Sequence, residues 1–291
     1  MSEIRVIPNN PEFKGILEMK TEIPFSGDLK LQLIKPIWKQ EGGFPLIVFI
    51  QGSAWTKPDQ FWEAPQLSAL AKRGYVIASV THRSAFEAPA PAFLKDVKTA
   101  IRFLRAHAEK YNIDPERVCA WGTSSGGNTA LLLGLTGDDP QFETDEWAGQ
   151  STRVQAVVDC FGPTDLVKMA EVQYKDLPLT EENSVLVALG GGMAALNKVS
   201  RAELCDLIRE KLALVSPIRY VKPGLALPPF LMLHGDADPV VLFEDTVEMY
   251  NRMLECGYDA SLVRVTNAEH EGTFWSETLH QIIAEFIAEK L

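Results

Sequence analysis

Short runs of apolar residues recur along this 291-residue chain, and they constrain its fold more than any other feature. The runs are four or five residues long and lie at 46–50, 75–78, 118–121, 154–158 and 230–233. A strand has this composition when both faces of its sheet are covered, as in a parallel sheet. The runs therefore predict buried, parallel strands.

Helical periodicity separates these strands. Apolar residues fall on one face of a helix in segment 93–104, which follows Pro91, and again in segment 279–291. Strands that alternate with helices indicate a doubly wound α/β sheet. Segment 16–37 alternates apolar and polar residues around a Ser26-Gly27-Asp28 turn, which predicts an antiparallel hairpin at the start of the sheet.

The spacing predicts one domain over residues 1–291, with one irregular segment. Residues 166–221 hold helical pieces and a run of three glycines, and they are too long for a simple crossover. We interpret them as a modest cap inserted over the active-site face. An elongated surface crossover is the alternative.

The net charge of the chain argues against partners that carry many negative charges. The formal net charge is −11, spread along the chain. Nucleic acid is an unlikely partner because phosphate binding needs clustered Lys and Arg, and an anionic membrane surface is disfavoured for the same reason. No apolar stretch approaches the roughly 20 residues that span a bilayer.

The cysteines and the first residues suggest a cytoplasmic location. The N-terminal residues lack a basic region followed by an apolar one, so we expect no secretory signal. The four cysteines, Cys119, Cys160, Cys205 and Cys256, form no metal-ligand pattern, and we expect free thiols, the first two in buried strands. A catalytic cysteine is the alternative, and no metal or organic cofactor is expected.

The nucleophile candidate lies between a predicted strand and a predicted helix. Strand 118–121 leads into Gly122-Thr123-Ser124-Ser125-Gly126, a G-x-S-x-G motif. A sharp turn there exposes the central hydroxyl, and small residues two positions to either side let strand and helix approach. Thr123 and Ser125 are competing hydroxyls, but only Ser124 is central. A Gly/Ser-rich turn without chemistry is the alternative.

A serine nucleophile needs a base, and five histidines are available. His270 follows the apolar segment 260–265 and precedes the last helix, which places it on a loop at the carboxyl end of a strand. His82 and His234, also beside strand ends, are interpreted as packed or loop-anchoring. His107 and His280 fall within helical segments.

The acid that orients the base should follow the preceding strand. Two aspartates compete after segment 230–233: we expect Asp238 to reach His270 and Asp236 to brace the turn. The order Ser, Asp, His differs from the orders of trypsin and subtilisin and is that of α/β hydrolases.

A loop of small residues after strand 46–50 predicts an oxyanion hole. Its sequence is Gln51-Gly52-Ser53-Ala54-Trp55. We expect backbone N–H groups of Ser53, Ala54 and Ser125 to hold the negative oxygen of a tetrahedral intermediate. An ordinary tight loop is the alternative.

Several motifs together resemble the feruloyl-esterase-like (BD-FAE) branch of α/β hydrolases, which is close to the hormone-sensitive-lipase-like esterases. The motifs lie at 114–118, 122–127, 161–166, 216–218 and 228–238, and the resemblance covers about residues 45–286. It implies an α/β-hydrolase fold and a triad of Ser124, Asp238 and His270.

The sequence departs from this family at two loops. The family has His-Gly-Gly-Gly-Trp where this chain has residues 51–55, and it tends to have Gly directly after the base, where this chain has Glu271. That carboxylate is expected either to raise the proton affinity of the base or to face solvent. At a third position, His82-Arg83 replaces Tyr-Arg and is interpreted as structural support.

The function predicted from the sequence is a carboxylesterase acting on a small-molecule ester. Aromatic residues flank the oxyanion and base loops, and Trp55, Phe274 and Trp275 are candidate substrate contacts, although such residues are as often core. Hydrolysis of an amide by the same triad, as in a formamidase or peptidase, is one alternative. A non-catalytic binding protein is another. The sequence does not indicate an oligomeric state.

Overall fold

An eight-stranded sheet organises the molecule. The computed structural model describes residues 4–173 and 184–291, and within them the strand order is β1-β2-β4-β3-β5-β6-β7-β8. The strands are β1 (Leu17–Ser26), β2 (Leu29–Pro36), β3 (Phe44–Ile50), β4 (Val76–Val80), β5 (Ile113–Thr123), β6 (Ala156–Cys160), β7 (Phe230–Gly235) and β8 (Ala260–Val265).

Helices connect the strands. They are α1 (Ala64–Lys72), α2 (Ala92–Ala106), α3 (Ala108–Tyr111), α4 (Ser125–Thr136), α5 (Leu166–Lys168), α6 (Val185–Leu189), α7 (Arg201–Leu214), α8 (Phe243–Glu255) and α9 (Glu277–Lys290). A π-helical segment, Met169–Gln173, follows α5.

The sheet is mostly parallel, as the sequence predicts. Strand β2 pairs antiparallel with both β1 and β4, while each pair from β4 through β3 to β8 is parallel. The N-terminal hairpin is therefore confirmed, with its turn at Gly27 and Asp28. Because the strands from β3 to β8 are parallel, their carboxyl ends meet at one edge, where the candidate site lies.

Two hydrophobic cores cover the two faces of the sheet. Along β3, Leu46, Val48 and Ile50 join the core beneath α2, α4 and α8, and the alternating Ile47 and Phe49 join the core beneath α1 and α9. Every residue of β3 is buried. This two-sided burial explains the uninterrupted apolar run, since each buried aliphatic side chain contributes about 1.5–3 kcal/mol.

Strand β5 begins earlier than the apolar run predicts. It starts at Ile113, which pairs with Phe44, and a register irregularity separates this pairing from that of Leu46 with Val118. Polar residues such as Asp114 therefore lie in the extended segment, so apolar content alone could not locate its start. As expected, Cys119 and Cys160 are buried free thiols.

The segment interpreted as a cap contains three helices, α5, α6 and α7, in its described parts, joined by turns and irregular stretches. Helix α6 packs closely on α7, since a Cβ on Gly190 would lie 2.3 Å from the Cβ of Ile208. The N–H of Ala90, before α2, donates to the carbonyl of Leu189 at 2.8 Å. Residues 174–183 of this segment lie outside the described residues, and its role as a cap stays a prediction.

Candidate active site

Ser124 occupies a sharp turn between β5 and α4. Its backbone has φ 51° and ψ −122°, a conformation that non-glycine residues rarely adopt. A Cβ on Gly122 would lie 2.0 Å from the carbonyl oxygen of Gly126, and a Cβ on Gly126 would lie 1.9 Å from that of Ile50. Glycine is therefore required on both sides of the turn, as the motif predicts.

His270 lies between Ser124 and Asp238. Its Nε2 is 2.9 Å from Oγ of Ser124, and its Nδ1 is 2.7 Å from Oδ2 of Asp238. A proton on Nδ1 faces the carboxylate, which leaves Nε2 free to accept the proton of the hydroxyl. The ring of Phe161 packs edge-on against the imidazole at 4.8 Å between centroids and limits its rotation.

The carboxylate of Asp238 is buried and held at both oxygens. Its Oδ1 accepts the N–H groups of Val240 and Val241, and its Oδ2 accepts from His270 and contacts Nε2 of His234 at 3.2 Å. Burial alone would raise the pKa of Asp238, but hydrogen bonds from His234, His270 and Val241 outweigh burial and lower it. The side chain is thus a carboxylate beside the imidazole.

His234 has a role that the sequence reasoning did not identify. Its ring is fully buried, with Nδ1 2.7 Å from Oγ1 of Thr246 and Nε2 3.0 Å from the carbonyl oxygen of Val241. These contacts hold the ring against Asp238 and make His234 a positioning residue for the carboxylate. Its place four residues before Asp238, at the end of a buried strand, was the available signal.

Asp236 braces the neighbouring turn, as the sequence predicts. Its Oδ1 accepts the N–H of Asn267 at 2.6 Å, and its Oδ2 accepts from Nε of Arg264 at 2.6 Å. The hydrogen bonds from Arg264 and Asn267 lower the pKa of Asp236. The ionised side chain therefore ties the end of β7 to the end of β8.

The oxyanion loop differs in one donor from the prediction. The N–H of Ser53 donates to Oγ of Ser125 at 2.9 Å, so this donor is already engaged. Ala54 is exposed, with φ +48°, and among the described residues its N–H has no hydrogen-bond acceptor. The N–H of Ser125 is the first of α4 and has no intrahelical acceptor. Of the three backbone N–H groups predicted to form the oxyanion hole, those of Ala54 and Ser125 are therefore free to bind an oxyanion.

Two of the three predicted aromatic contacts are core residues. Trp55 is buried beside Phe93, and Phe274 is buried against Phe161, so neither reaches the surface of the site. Trp275 is partly exposed, and its indole stacks on His280 at 5.1 Å between centroids. The interpretation of Trp55 and Phe274 as substrate contacts is wrong, because both side chains fill the hydrophobic cores.

A cavity of about 550 Å³ adjoins the nucleophile on the α1 side of the sheet. None of the triad residues lines this cavity, but it is bordered by Gly52, whose Cα packs against Ser124, and by Glu271, which directly follows His270. Its lining is acidic, amide and aromatic, from Gln51, Gly52, Trp62, Glu63, Gln66, Glu271, Gly272 and Trp275. Burial, and then the charge of Glu271, raise the pKa of Glu63 to about 7.

Residues 4–173 and 184–291 hold no group of three or more His, Cys, Asp or Glu side chains that could bind a metal ion. No helix in this part of the chain has the length and apolar content needed to cross a membrane.

Known proteins resemble this chain in sequence over most of its length. The BD-FAE family model matches residues 31–253. Two curated relatives come from Mycobacterium tuberculosis. Esterase LipC is 31% identical, and the match covers 78% of this chain and 53% of LipC. Esterase LipQ is 25% identical, and the match covers 85% of this chain and 55% of LipQ. The chain therefore spans about half the length of these relatives.

Solved structures resemble the whole fold. A truncated carbohydrate esterase from gut microbiota has a TM-score of 0.78 and 27% identity, covering 97% of this chain and 99% of that one. An esterase from Thermogutta terrifontis with butyrate bound has a TM-score of 0.72 and 25% identity, covering 96% and 95%. The α/β-hydrolase fold predicted from the sequence is confirmed.

Proposed function

This chain belongs to the BD-FAE family, and we propose that it is a serine carboxylesterase that cleaves a small or aromatic ester through an acyl-Ser124 intermediate. One observation carries the proposal: Ser124, His270 and Asp238 form a continuous chain of hydrogen bonds of 2.9 and 2.7 Å. A serine hydroxyl that touches an oriented imidazole is the arrangement that activates it as a nucleophile.

The first half of the reaction acylates the enzyme. Oγ of Ser124 bonds to the carbonyl carbon of the ester while its proton passes to Nε2 of His270. The carbonyl electrons move onto oxygen, which the N–H groups of Ala54 and Ser125 stabilise; one such donor contributes roughly 10²–10³ in rate. The intermediate then expels the alkoxide, which takes the proton from His270 and leaves as the alcohol.

The second half releases the acid. His270 takes a proton from water, whose oxygen attacks the acyl carbon, and then returns that proton to Oγ of Ser124. During both halves the Asp238 carboxylate stabilises the positively charged imidazole. No step requires a metal or an organic cofactor.

We also propose a small acyl substrate, a reducing compartment and a small-molecule partner. The structural neighbour described as an esterase with butyrate bound supports a small acyl group as substrate. The four free cysteines support a reducing compartment such as the cytoplasm. The net charge of −11 supports a small molecule rather than nucleic acid as the partner.

The test uses nitrophenyl, cinnamoyl and acetyl-sugar esters together with a fluorophosphonate probe. We expect hydrolysis and stoichiometric labelling of the native protein, and loss of both in Ser124→Ala with an unchanged circular dichroism spectrum. Matched amide substrates should react far more slowly than the esters. Faster cleavage of the amides would favour the amidase alternative, and a folded protein that neither labels nor turns over would support a binding protein.

A further inference from the structure

Two carboxylates face the cavity beside Ser124 without belonging to the triad. Glu63 precedes helix α1, and Glu271 directly follows the base His270. Glu63 is only 7% exposed, yet among the described residues its side chain has no hydrogen bond and no ion pair. Removing a carboxylate from water without a partner is costly. Neither oxygen of Glu63 is among the fully buried unpaired atoms, so the oxygens reach the cavity, where a ligand can supply that partner.

Glu271 is held there against its backbone preference. Its φ of 62° and ψ of −151° lie in a region that is populated almost only by glycine. Its Oε2 accepts from Nε1 of Trp275 at 3.0 Å, which fixes the carboxylate at the cavity wall. A strained non-glycine residue at the edge of a site suggests that its side chain has a function.

Two indole rings line the same cavity. Trp62 is 64% exposed, and Trp275 is fixed by its stacking on His280 and its hydrogen bond to Glu271. The face of an indole attracts a cation, most strongly where water is excluded. Carboxylates and indoles around one cavity are therefore complementary to an organic cation.

We propose that this cavity binds an organic ammonium group carried by the ester substrate. The proposal rests on the esterase function, because the cavity borders the site at two places: Gly52 packs against Ser124, and Glu271 directly follows His270. A neutral polyhydroxyl group would donate hydrogen bonds to Glu63 and Glu271 but would leave their negative charges uncompensated. The net charge of −11 also favours the approach of a cation.

The proposal predicts a defined pH dependence. A cation binds best when Glu63 is ionised, and the pKa of Glu63 is raised to about 7, so preference for a cation should increase as pH rises through that value. The other titratable groups nearby are Glu271 and His270 on the base loop, Cys160 at the end of β6, and His280 behind Trp275. Comparing two substrates at each pH cancels any effect of pH on the catalytic triad, because the triad acts on both substrates.

The experiment compares acetylcholine with 3,3-dimethylbutyl acetate, which has the same shape without the charge. We expect kcat/KM for the charged ester to exceed that for the neutral ester about tenfold at pH 8 and to approach it at pH 6. Glu63→Gln and Glu271→Gln should lower this ratio. Glu269→Gln, which removes an exposed negative charge next to His270, should leave the ratio unchanged.

Equal kcat/KM values for the two esters at pH 8 would overturn the proposal. An equal fall in kcat/KM for both esters in Glu63→Gln would also overturn it, because that result would indicate a site for neutral hydroxyl groups. Calorimetric titration of Ser124→Ala with choline chloride and with 3,3-dimethylbutanol tests the cavity independently of turnover. If choline binds to Ser124→Ala but not to the Ser124→Ala/Glu63→Gln double variant, the proposal is supported even if neither ester is cleaved. Failure of choline to bind contradicts it even if both esters are cleaved.

Discussion

Ser124 and Ser125 are adjacent in the sharp turn between β5 and α4, the elbow formed by residues 122–126, but their hydroxyls have different roles in the site. The hydroxyl of Ser124 contacts His270, whereas the hydroxyl of Ser125 accepts the N–H of Ser53 at 2.9 Å. On the other side of Ser124, Oγ1 of Thr123 accepts the N–H of Gly52 at 2.8 Å. The two flanking hydroxyls thus fix the oxyanion loop relative to the nucleophile.

This arrangement makes Ser125→Ala informative. The partly buried N–H of Ser53 would lose its acceptor, which costs at most about 1–3 kcal/mol and loosens the loop that carries Ala54. We expect kcat to fall about tenfold with little change in KM, and fluorophosphonate labelling to persist at a lower rate. Ser125→Thr, which keeps a hydroxyl, should recover part of the loss. An inactive Ser125→Ala alongside an active Ser124→Ala would show that the wrong serine was assigned.

The two aspartates after β7 should separate catalysis from stability. Asp238→Asn removes the charge beside His270, and the equivalent change in a trypsin-type enzyme lowers kcat by roughly 10⁴. Asp236→Asn weakens contacts to Arg264 and Asn267, so it should mainly lower the thermal midpoint. Measuring kcat and the thermal midpoint of both variants shows which aspartate serves catalysis and which serves stability. Normal turnover in Asp238→Asn with inactive, stable Asp236→Asn would reverse the assignment.

At the scale of elements, the loops after β3, β5, β7 and β8 bring the site together. The sequence could predict this because each candidate triad residue follows an apolar run, and the carboxyl ends of parallel strands share one edge. It could not predict the burial of Trp55 and Phe274 or the engaged N–H of Ser53, because these depend on packing and on the hydroxyl of Ser125 across the chain.

The crossing of β3 and α4 predicts the effect of enlarging a glycine. A methyl group on Gly126 would meet the backbone carbonyl of Ile50 at 1.9 Å, and neither partner is a flexible side chain. We expect Gly126→Ala to displace Ser124 and to reduce kcat at least a hundredfold, with overpacking destabilisation of about 1–3 kcal/mol. In Gly134→Ala, on the same helix, the methyl group meets the side chains of Val157 and Phe230.

Gly134→Ala therefore serves as the matched control. It should lower the thermal midpoint, because Val157 and Phe230 must shift, but it should preserve kcat since it lies two turns beyond the elbow. Near-normal kcat in Gly126→Ala would mean that the elbow tolerates separation of β3 from α4, which would contradict a requirement for the close contact between Gly126 and Ile50.

At the scale of the whole molecule, the sheet separates two helical layers, and the acidic cavity lies on the α1 and α9 side. That layer supplies Glu63 from the start of α1, while the base loop that precedes α9 supplies Glu271. The cavity's charge is therefore coupled to the stability of the fold, because Glu63 titrates with one pKa in the folded chain and another in the unfolded one.

The sign of that coupling follows from the raised pKa of Glu63, about 7 in the folded protein against 4.5 for an ordinary Glu. Between these values the folded chain binds more protons than the unfolded chain, so its stability falls as pH rises. Glu63→Gln removes this pH-dependent loss of folding stability, because glutamine does not ionise. We expect it to stabilise the protein by about 1–3 kcal/mol at pH 8, which raises the thermal midpoint by several degrees, and to have little effect at pH 4.5. Glu269→Gln, at an exposed position, should leave the thermal midpoint unchanged at both pH 8 and pH 4.5. A stabilisation of equal size at both pH values, or a larger one at pH 4.5, would show that Glu63 does not carry a raised pKa in the folded state.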